Sequence, residues 1–228
     1  MRFKNLVLVG TSHIARESVN EVEEVIRNES PDVVALELDK QRMYGLLNKN
    51  KSRPSIRNIR RIGVKGFLFS LVGAWIERKL GEKVGVSPGS EMLAAYKLAK
   101  EKKIDVALID QDIEITLKRF SKMLTWKEKW NFVVDIVKSL IFRTEVVKID
   151  LSKVPSKEII AKLLTQVKYR YPNVYKVIVE ERNSFMASKL AQLIYRFPEK
   201  KVVAFIGAGH VKEILSLVKK YINAEDNN

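Results

Sequence analysis

The chain contains no cysteine among its 228 residues, and that absence excludes several kinds of site. Without thiols it can form no disulfide, bind no metal through thiolate sulfur and use no cysteine nucleophile. Long hydrophobic runs are also missing, since the longest, residues 66–76, is too short to cross a bilayer, which needs about 20 apolar residues. No signal peptide precedes the first apolar segment. We therefore expect a cytoplasmic protein, and any association with a membrane should be through contact with the membrane surface.

Three common catalytic signatures are absent as well. The sequence has no Walker A motif, and no serine stands in a Gly-x-Ser-x-Gly turn. Gly207 and Gly209 begin a dinucleotide-binding pattern, but Lys212 occupies the position of its third glycine. We therefore expect neither a Rossmann nucleotide site nor a serine-hydrolase triad.

Acidic residues are missing from one long stretch, between Lys40 and Ile76, in a chain with a formal charge of +15. Within residues 49–80, a basic part is followed by an apolar part, which suits a helix lying on a membrane surface. A core or dimer-interface helix beside a solvated loop explains the same pattern and is slightly favoured, so a homodimer is one expectation. Nucleic-acid binding is not expected, because there is no recognised motif and no stacking aromatic between Tyr44 and Phe67. The basic residues are Lys40, Arg42, Lys49, Lys51, Arg53, Arg57, Arg60, Arg61 and Lys65.

Apolar runs followed by amphipathic segments occur at both ends of the chain, and this order is typical of an α/β fold. We expect a central mixed or parallel β-sheet flanked by helices, with a helical middle insertion over residues 113–168 that breaks near Thr125 and at 150–155. A single domain over residues 1–223 and a disordered tail at 224–228 complete the prediction. Strands are predicted at residues 5–9, 33–38, 104–109 and 201–206, and helices at 16–29, 40–48, 65–80, 90–103, 172–196 and 211–222.

The only two histidines stand at equivalent places in two related strand–Gly-x-x-His–helix units. His13 ends the motif that begins at Gly10, and His210 ends the one that begins at Gly207. Strand-to-helix turns of this kind lie at the carboxyl edge of an open sheet, where ligands bind. A single histidine there is most simply a helix cap. Because both histidines share the same context, we interpret them as parts of one functional site.

Acidic residues follow two of the predicted strands and should gather at the same edge. Glu37 falls inside an apolar run, and a buried acid needs a partner. Asp110 follows the strand at 104–109, while Asp39 and Asp112 are expected to cap the helices that come after them. Two histidines with one or two carboxylates form a plausible set of ligands for Mn, Fe, Co or Zn.

Arg182 lies on a largely apolar face of a predicted helix, together with Phe185 and Met186. An arginine in that position can grip an anion or a carboxylate, although a surface helix with charge pairs one turn apart fits the pattern equally well. Glu91, in the first turn of another helix, is most simply a partner of the helix dipole.

Six segments, taken in order, resemble the TraB/PrgY family over nearly the whole chain, and most closely its archaeal members. The two Gly-x-x-His motifs are the most specific part. The relatives include the TIKI proteins and, more distantly, the erythromycin-esterase and ChaN-like proteins. The resemblance implies an α/β fold with a central sheet flanked by helices. The segments are GTSHI (10–14), ALELD (35–39), PGSEM (88–92), LIDQDI (108–113), EERNSFMA (180–187) and GAGHV (207–211).

The resemblance also implies a reaction, because TIKI proteins are described as metal-dependent peptidases that use both histidines with a glutamate and an arginine. Matched by motif, these residues are His13, His210, Glu37 and Arg182. The expected function is therefore a metal-dependent, peptidase-like hydrolase acting on a peptide or protein. A Mn or Co ion would be held by His13, His210 and Glu37, while Arg182 would stabilise the oxyanion or grip the substrate.

The remaining candidates have supporting roles in this expected site. Glu181 or Glu91 would serve as the general base, and Asp110, Asn183 and Glu91 would contact the substrate. The alternative is a non-catalytic peptide-binding or signalling protein at the membrane surface, since PrgY-type members bind or act on a peptide pheromone. Many archaeal relatives continue into hydrophobic membrane segments, so the chain resembles a soluble part of such a protein or a short member of the family.

Overall fold

The computed structural model of the chain describes residues 1–11, 16–48, 89–142 and 157–225. These contain a five-stranded sheet in the order β1-β2-β5-β3-β4. β1 pairs with β2 in the antiparallel direction, and all the other pairs are parallel. The predicted α/β fold with a mixed sheet is thus confirmed. The strands are β1 (Arg2–Phe3), β2 (Leu6–Thr11), β3 (Val33–Leu36), β4 (Asp105–Leu108) and β5 (Val202–Gly207).

The described helices follow the predicted order along the chain. The predicted break near Thr125 is confirmed, whereas the predicted helix at residues 65–80 lies outside the described residues. A π-helical segment, Lys176–Glu180, joins two of the helices without a turn. The helices are α1 (Arg16–Glu29), α2 (Lys40–Leu47), α3 (Ser90–Glu101), α4 (Ile113–Met123), α5 (Trp126–Phe142), α6 (Lys157–Arg170), α7 (Pro172–Tyr175), α8 (Glu181–Arg196) and α9 (Val211–Glu225).

The last strand, β5, lies in the middle of the sheet, between β2 and β3. All six of its residues are buried, and such a continuous apolar run is typical of a strand covered on both faces. Its parallel register with β2 pairs Gly10 with Ile206 and Thr11 with Gly207. The strands of the two Gly-x-x-His units are therefore direct neighbours.

Two apolar layers cover the sheet, as the alternation of side chains along each strand requires. On one face, α8 and α9 pack through Met186, Leu190 and Ile214 against residues such as Ala204. On the other face, α1 and α3 pack against residues such as Phe205. Each helix that leads into a parallel strand runs back across the sheet, so the helices begin at its carboxyl edge.

The boundaries differ from the predicted ones in a few places. β1 was not predicted, because a two-residue edge strand carries too short a pattern to recognise. α9 continues to Glu225, since it packs on the sheet through most of its length. The two predicted helix caps are confirmed: Asp39 accepts from the N–H groups of α2, and Asp112 from that of Glu114 in α4. Among the described helices, none has the length and apolar composition needed to span a membrane.

Candidate functional site

The carboxyl ends of β2 and β5 meet the turn that leads into α9. A Cβ on Gly10 would lie 2.8 Å from Val211 Cγ2 and 3.0 Å from Ala208 Cα, distances that no side chain can occupy without movement. Thr11 carbonyl accepts from the N–H of Ala208 at 2.9 Å. A glycine is therefore required at position 10, because the turn of the second Gly-x-x-His unit packs directly on β2, the strand of the first unit.

An ion-pair network spans the same edge beneath α8. Arg182 Nε donates to Asp110 Oδ1 at 3.0 Å, and its Nη2 donates to Asp110 Oδ2 at 2.7 Å. The same Nη2 donates to Glu37 Oε1 at 2.9 Å. The carboxylates are buried, with 2% and 5% of their side chains exposed. Burial opposes the charge of Arg182, but the hydrogen bonds and attraction of Asp110 and Glu37 outweigh it and hold its pKa above the ordinary value.

Glu37 connects this network to the turn before His210. Its Oε2 accepts from the Gly207 N–H at 2.6 Å, and its own N–H donates to Phe205 carbonyl at 3.1 Å. The partners of this buried acid thus include a cation and a backbone amide. Glu37 thereby fixes the position at which β5 ends.

Asp110 receives further donors from helix α2 and from the residue that follows it. Arg42 Nη1 donates to Asp110 Oδ2 at 3.1 Å, and the Gln111 N–H donates to Oδ1 at 2.8 Å. Asp39, which caps α2, has a buried Oδ2 without a hydrogen-bond partner in the described structure. Burial raises the pKa of Asp39, and the nearby charge of Asp110 adds to the effect. Arg42 and Arg182 thus balance the negative charges of Glu37 and Asp110.

His210 precedes the first turn of α9. Its ring is held by Asn183, the residue that follows Arg182 in α8. Nδ1 lies 2.6 Å from Asn183 Oδ1, and Asn183 Nδ2 donates to Glu213 Oε2 at 2.8 Å. The carboxylate of Glu213 can only accept, so the amide orientation is fixed and Oδ1 must face the imidazole. His210 Nδ1 is therefore the protonated nitrogen, and in the neutral ring Nε2 carries the lone pair.

The π-helical segment lies immediately before the residues that make these contacts. Arg182 Nη1 donates to the carbonyl of Ile178, inside that segment, at 3.4 Å. Segments of this kind occur frequently at functional sites, because one additional residue in a turn changes the direction of the following side chains. Here it precedes Arg182 and Asn183, consecutive residues whose side chains reach different parts of the edge.

Glu181 and Glu91, the two candidate general bases, are carried by different helices. Glu181 pairs with Arg119 through two bonds of 3.1 and 2.6 Å on the solvated side of α8. Hydrogen bonding to Arg119 lowers the pKa of Glu181, against a smaller effect of burial, which makes it a weaker base. Glu91 is 1% exposed in the first turn of α3, on the opposite face of the sheet from α8.

His13 lies outside the described residues, as does the basic and apolar segment 49–80. Within the described ranges, no group of three or more histidine, aspartate and glutamate side chains is arranged to hold a metal ion. His210 is suited to bind a metal ion through Nε2, because metal-bound imidazoles usually donate their other N–H to an oxygen acceptor, as Nδ1 does here to Asn183 Oδ1. Glu37 fits less well, since each of its oxygens already accepts a short hydrogen bond. The described residues therefore do not make a metal centre by themselves.

Sequence patterns did not reveal three contributors to this edge. The sequence identifies Arg42 only as part of a basic stretch, and no sequence pattern points to Glu213. The π-helical segment has no recognised sequence signature. The pairing of Glu213 with Asn183 could have been suspected from the polarity of both residues near the only histidine of the second motif.

The chain is similar in sequence to known proteins of one family. The sequence model of the TraB/PrgY/gumN family matches residues 3–224. An uncharacterized protein of Methanocaldococcus jannaschii is 35% identical over 97% of the chain and 55% of its own length. TraB domain-containing proteins of Bos taurus and Homo sapiens are 27% and 26% identical over 91% of the chain, and over 60% and 61% of their own lengths.

The chain thus spans between 55% and 61% of the length of these three relatives. The family match nevertheless includes both Gly-x-x-His motifs and every described strand from β2 to β5. With this match and 35% identity across 97% of the chain, the protein belongs to the TraB/PrgY/gumN family.

Proposed function

We propose that the protein is a metal-dependent, peptidase-like hydrolase whose reaction centre lies around His210, with His13 as the second imidazole. The observation that carries this proposal is the hydrogen bond from His210 Nδ1 to Asn183 Oδ1. Asn183 is fully buried and is itself held by Glu213. A histidine that only caps a helix needs no such support, so the arrangement favours a chemical role for Nε2.

The fixed tautomer makes Nε2 of the neutral ring a base or a ligand. A bound Mn or Co ion, held by His210 and His13, would lower the pKa of a water molecule and polarise the scissile carbonyl. Asn183 and Glu213 would keep the imidazole in one orientation throughout. We therefore assign Asn183 a positioning role rather than the substrate contact expected from the sequence.

Arg182 also has a positioning role in this proposal. Its donors already point to Asp110, Glu37 and a backbone carbonyl, so gripping a substrate would require breaking buried ion pairs. Breaking such pairs costs several kcal/mol, roughly 3–5 when one partner is lost. Arg182 is better suited to hold Glu37, which in turn holds the Gly207 turn. The predictions that Glu37 binds the metal and that Glu91 contacts a peptide remain proposals.

The experiment is elemental analysis of the purified chain, followed by cleavage of a peptide library with and without added Mn or Co. The variants are His13→Ala, His210→Ala and Asn183→Leu, with Tyr195→Ala, an exposed residue at the end of α8, as the matched control. We expect each histidine variant to lose the metal and the cleavage, while the control keeps both. A wild-type chain that binds no divalent ion and cleaves no peptide contradicts the proposal. Binding of peptides without cleavage would instead support the non-catalytic alternative.

A further inference from the structure

Helix α5 packs on the rest of the chain through its polar side. Glu128 accepts from the Asn173 N–H at 2.8 Å, and also from its side-chain amide at 3.1 Å. About two turns further along, Asp135 is paired with Arg170 and accepts from the Tyr171 hydroxyl. These contacts anchor α5 to the end of α6 and the start of α7, and they use both acidic residues of the helix.

The outward side of α5 is apolar. Trp126 is 83% exposed, Trp130 is 69% exposed and Val133 is 50% exposed. Their spacing of four and then three residues places them on one face of the helix. An ordinary surface helix directs its apolar stripe to the core, whereas the apolar stripe of α5 faces water. An exposed apolar stripe with two tryptophans at its start indicates an interaction surface.

The charges around this stripe have one sign. Lys127 and Lys138 are exposed on one side of it, and Lys129 borders the other side with its ammonium 4.1 Å from the Trp126 ring. Glu128 is buried, and Asp135, 38% exposed, is paired with Arg170 on the side of α5 opposite Trp126. The described residues of the outward face are therefore apolar or cationic. We call this face, formed by Trp126, Lys127, Lys129, Trp130, Val133 and Lys138, the tryptophan–lysine face.

We propose that the tryptophan–lysine face binds the surface of an anionic lipid bilayer, with α5 parallel to the membrane plane. Tryptophan is suited to the headgroup region because its ring is apolar and its N–H is polar, and flanking lysines are attracted to anionic lipids. The formal charge of +15 favours the same partner. A second copy on a twofold axis is disfavoured, since it would bring like charges together. This surface differs from segment 49–80, and the inference goes beyond the proposed function.

Co-sedimentation tests the apolar part of the proposal, with vesicles of equal phosphatidylglycerol and phosphatidylcholine against vesicles of phosphatidylcholine alone. We expect binding to the anionic vesicles only. The double variant Trp126→Ala/Trp130→Ala should partition at least about ten-fold less. Tyr44→Ala/Tyr195→Ala is the matched control, because these tyrosines are 68% and 64% exposed on other helices. The control should bind like the wild type.

A charge-matched pair tests the cationic part. Lys127→Ala/Lys138→Ala should lose about five-fold per lysine in partition coefficient, the factor expected for one basic group near an anionic surface. Lys97→Ala/Lys220→Ala removes the same charge from exposed positions on α3 and α9. Equal losses in the two pairs would mean that net charge alone drives binding, and this result would overturn the proposal.

Fluorescence locates the contact, in a Trp75→Phe chain so that only Trp126 and Trp130 report. We expect brominated phosphatidylcholine, mixed with phosphatidylglycerol, to quench their emission. Absence of lipid binding by the wild type, or binding without quenching, would overturn the proposal. So would light scattering that shows an oligomer converted to a monomer by the double tryptophan variant while lipid binding persists, because the face would then bind a second copy.

Discussion

The guanidinium of Arg182 holds the carboxylate of Asp110 at two points, with Nε–Oδ1 at 3.0 Å and Nη2–Oδ2 at 2.7 Å. These residues are 72 positions apart, and the pair joins α8 to the end of β4. Sharing of Nη2 with Glu37 extends the connection to the end of β3. One side chain therefore fixes three elements of the carboxyl edge, and its planar fork geometry makes this possible.

Replacing Arg182 tests that role through stability. Arg182→Ala leaves the buried carboxylates of Asp110 and Glu37 without their main cation, so we expect the free energy of unfolding to fall by about 3–5 kcal/mol. Arg182→Lys should recover only part of it, because an ammonium cannot bind both carboxylates in the same geometry. Urea unfolding measures both. Arg119→Ala is the control, since its pair with Glu181 is 47% and 19% exposed and should be worth about 1 kcal/mol or less. Equal effects at Arg182 and Arg119 would contradict the prediction.

Asn183 should determine the tautomer of His210. In Asn183→Leu the acceptor for Nδ1–H is lost, and we expect the neutral ring to shift towards the tautomer protonated at Nε2. Glu213→Gln keeps an acceptor for the Asn183 amide and should preserve the wild-type tautomer. Nitrogen chemical shifts of the imidazole report the protonated atom directly, and the chain has only two histidines to assign. An unchanged His210 spectrum in Asn183→Leu would count against the positioning role.

Gly10 and Gly45 form a matched pair of glycine substitutions. Gly10→Ala places a methyl group 2.8 Å from Val211 Cγ2 and 3.0 Å from the Ala208 backbone, so we expect a loss of about 1–3 kcal/mol from overpacking. A Cβ on Gly45, inside α2, meets nothing within 4 Å. Gly45→Ala should therefore stabilise the protein by about 0.5–1 kcal/mol through helix propensity. Thermal unfolding distinguishes the two, and a harmless Gly10→Ala would mean that the two turns do not pack closely.

The ion pair of Asp135 should give stability that depends on acid pH. Hydrogen bonding to Arg170, together with that of Tyr171 and against the effect of burial, lowers the pKa of Asp135 from 3.8 to about 2. A carboxyl whose pKa is lower in the folded state contributes stability above the unfolded value and loses it as the pH falls towards the folded value. Since 38% of the side chain is exposed, solvent screening limits the contribution to about 1 kcal/mol.

The measurement compares wild type with Asp135→Asn by urea unfolding between about pH 5 and pH 2. The difference in free energy of unfolding should be constant near the upper limit and should shrink by about 1 kcal/mol on acidification. A difference that does not change with pH would show that Asp135 is not held as an anion by Arg170.

Much of the fold follows from local patterns in the sequence. The continuous apolar run of β5 and the 3.6-residue periodicity of α1, α8 and α9 allow these elements to be located within a few residues, because a buried face leaves a regular trace. Asp39 and Asp112 could be recognised as helix caps because a short acid after a strand has a local hydrogen-bonding role. Glu37 could be recognised as a buried acid because it falls inside an apolar run.

The partners of those residues could not be predicted in this way. Nothing local indicates that Arg182 would bind Asp110 and Glu37 at once, or that Glu181 beside it would turn to Arg119 on the outside of α8. The direction of a helical side chain changes by about 100° per residue, so neighbours in sequence have unrelated partners in space. The outward tryptophans of α5 are a further example, since apolar periodicity alone assigns such a stripe to the core.

The sequence by itself determined the order of strands and helices, the two Gly-x-x-His units and the acids that end β3 and β4, because each depends on residues close together in the chain. Tertiary structure alone decided that β5 lies beside β2, that Asn183 and Glu213 fix the tautomer of His210, and that Arg182 is occupied by two carboxylates. These contacts join residues between 27 (Asn183 and His210) and 196 (Leu6 and Val202) positions apart across the described fold. Strand order and burial determine them, since they decide which charged groups must neutralise one another away from water.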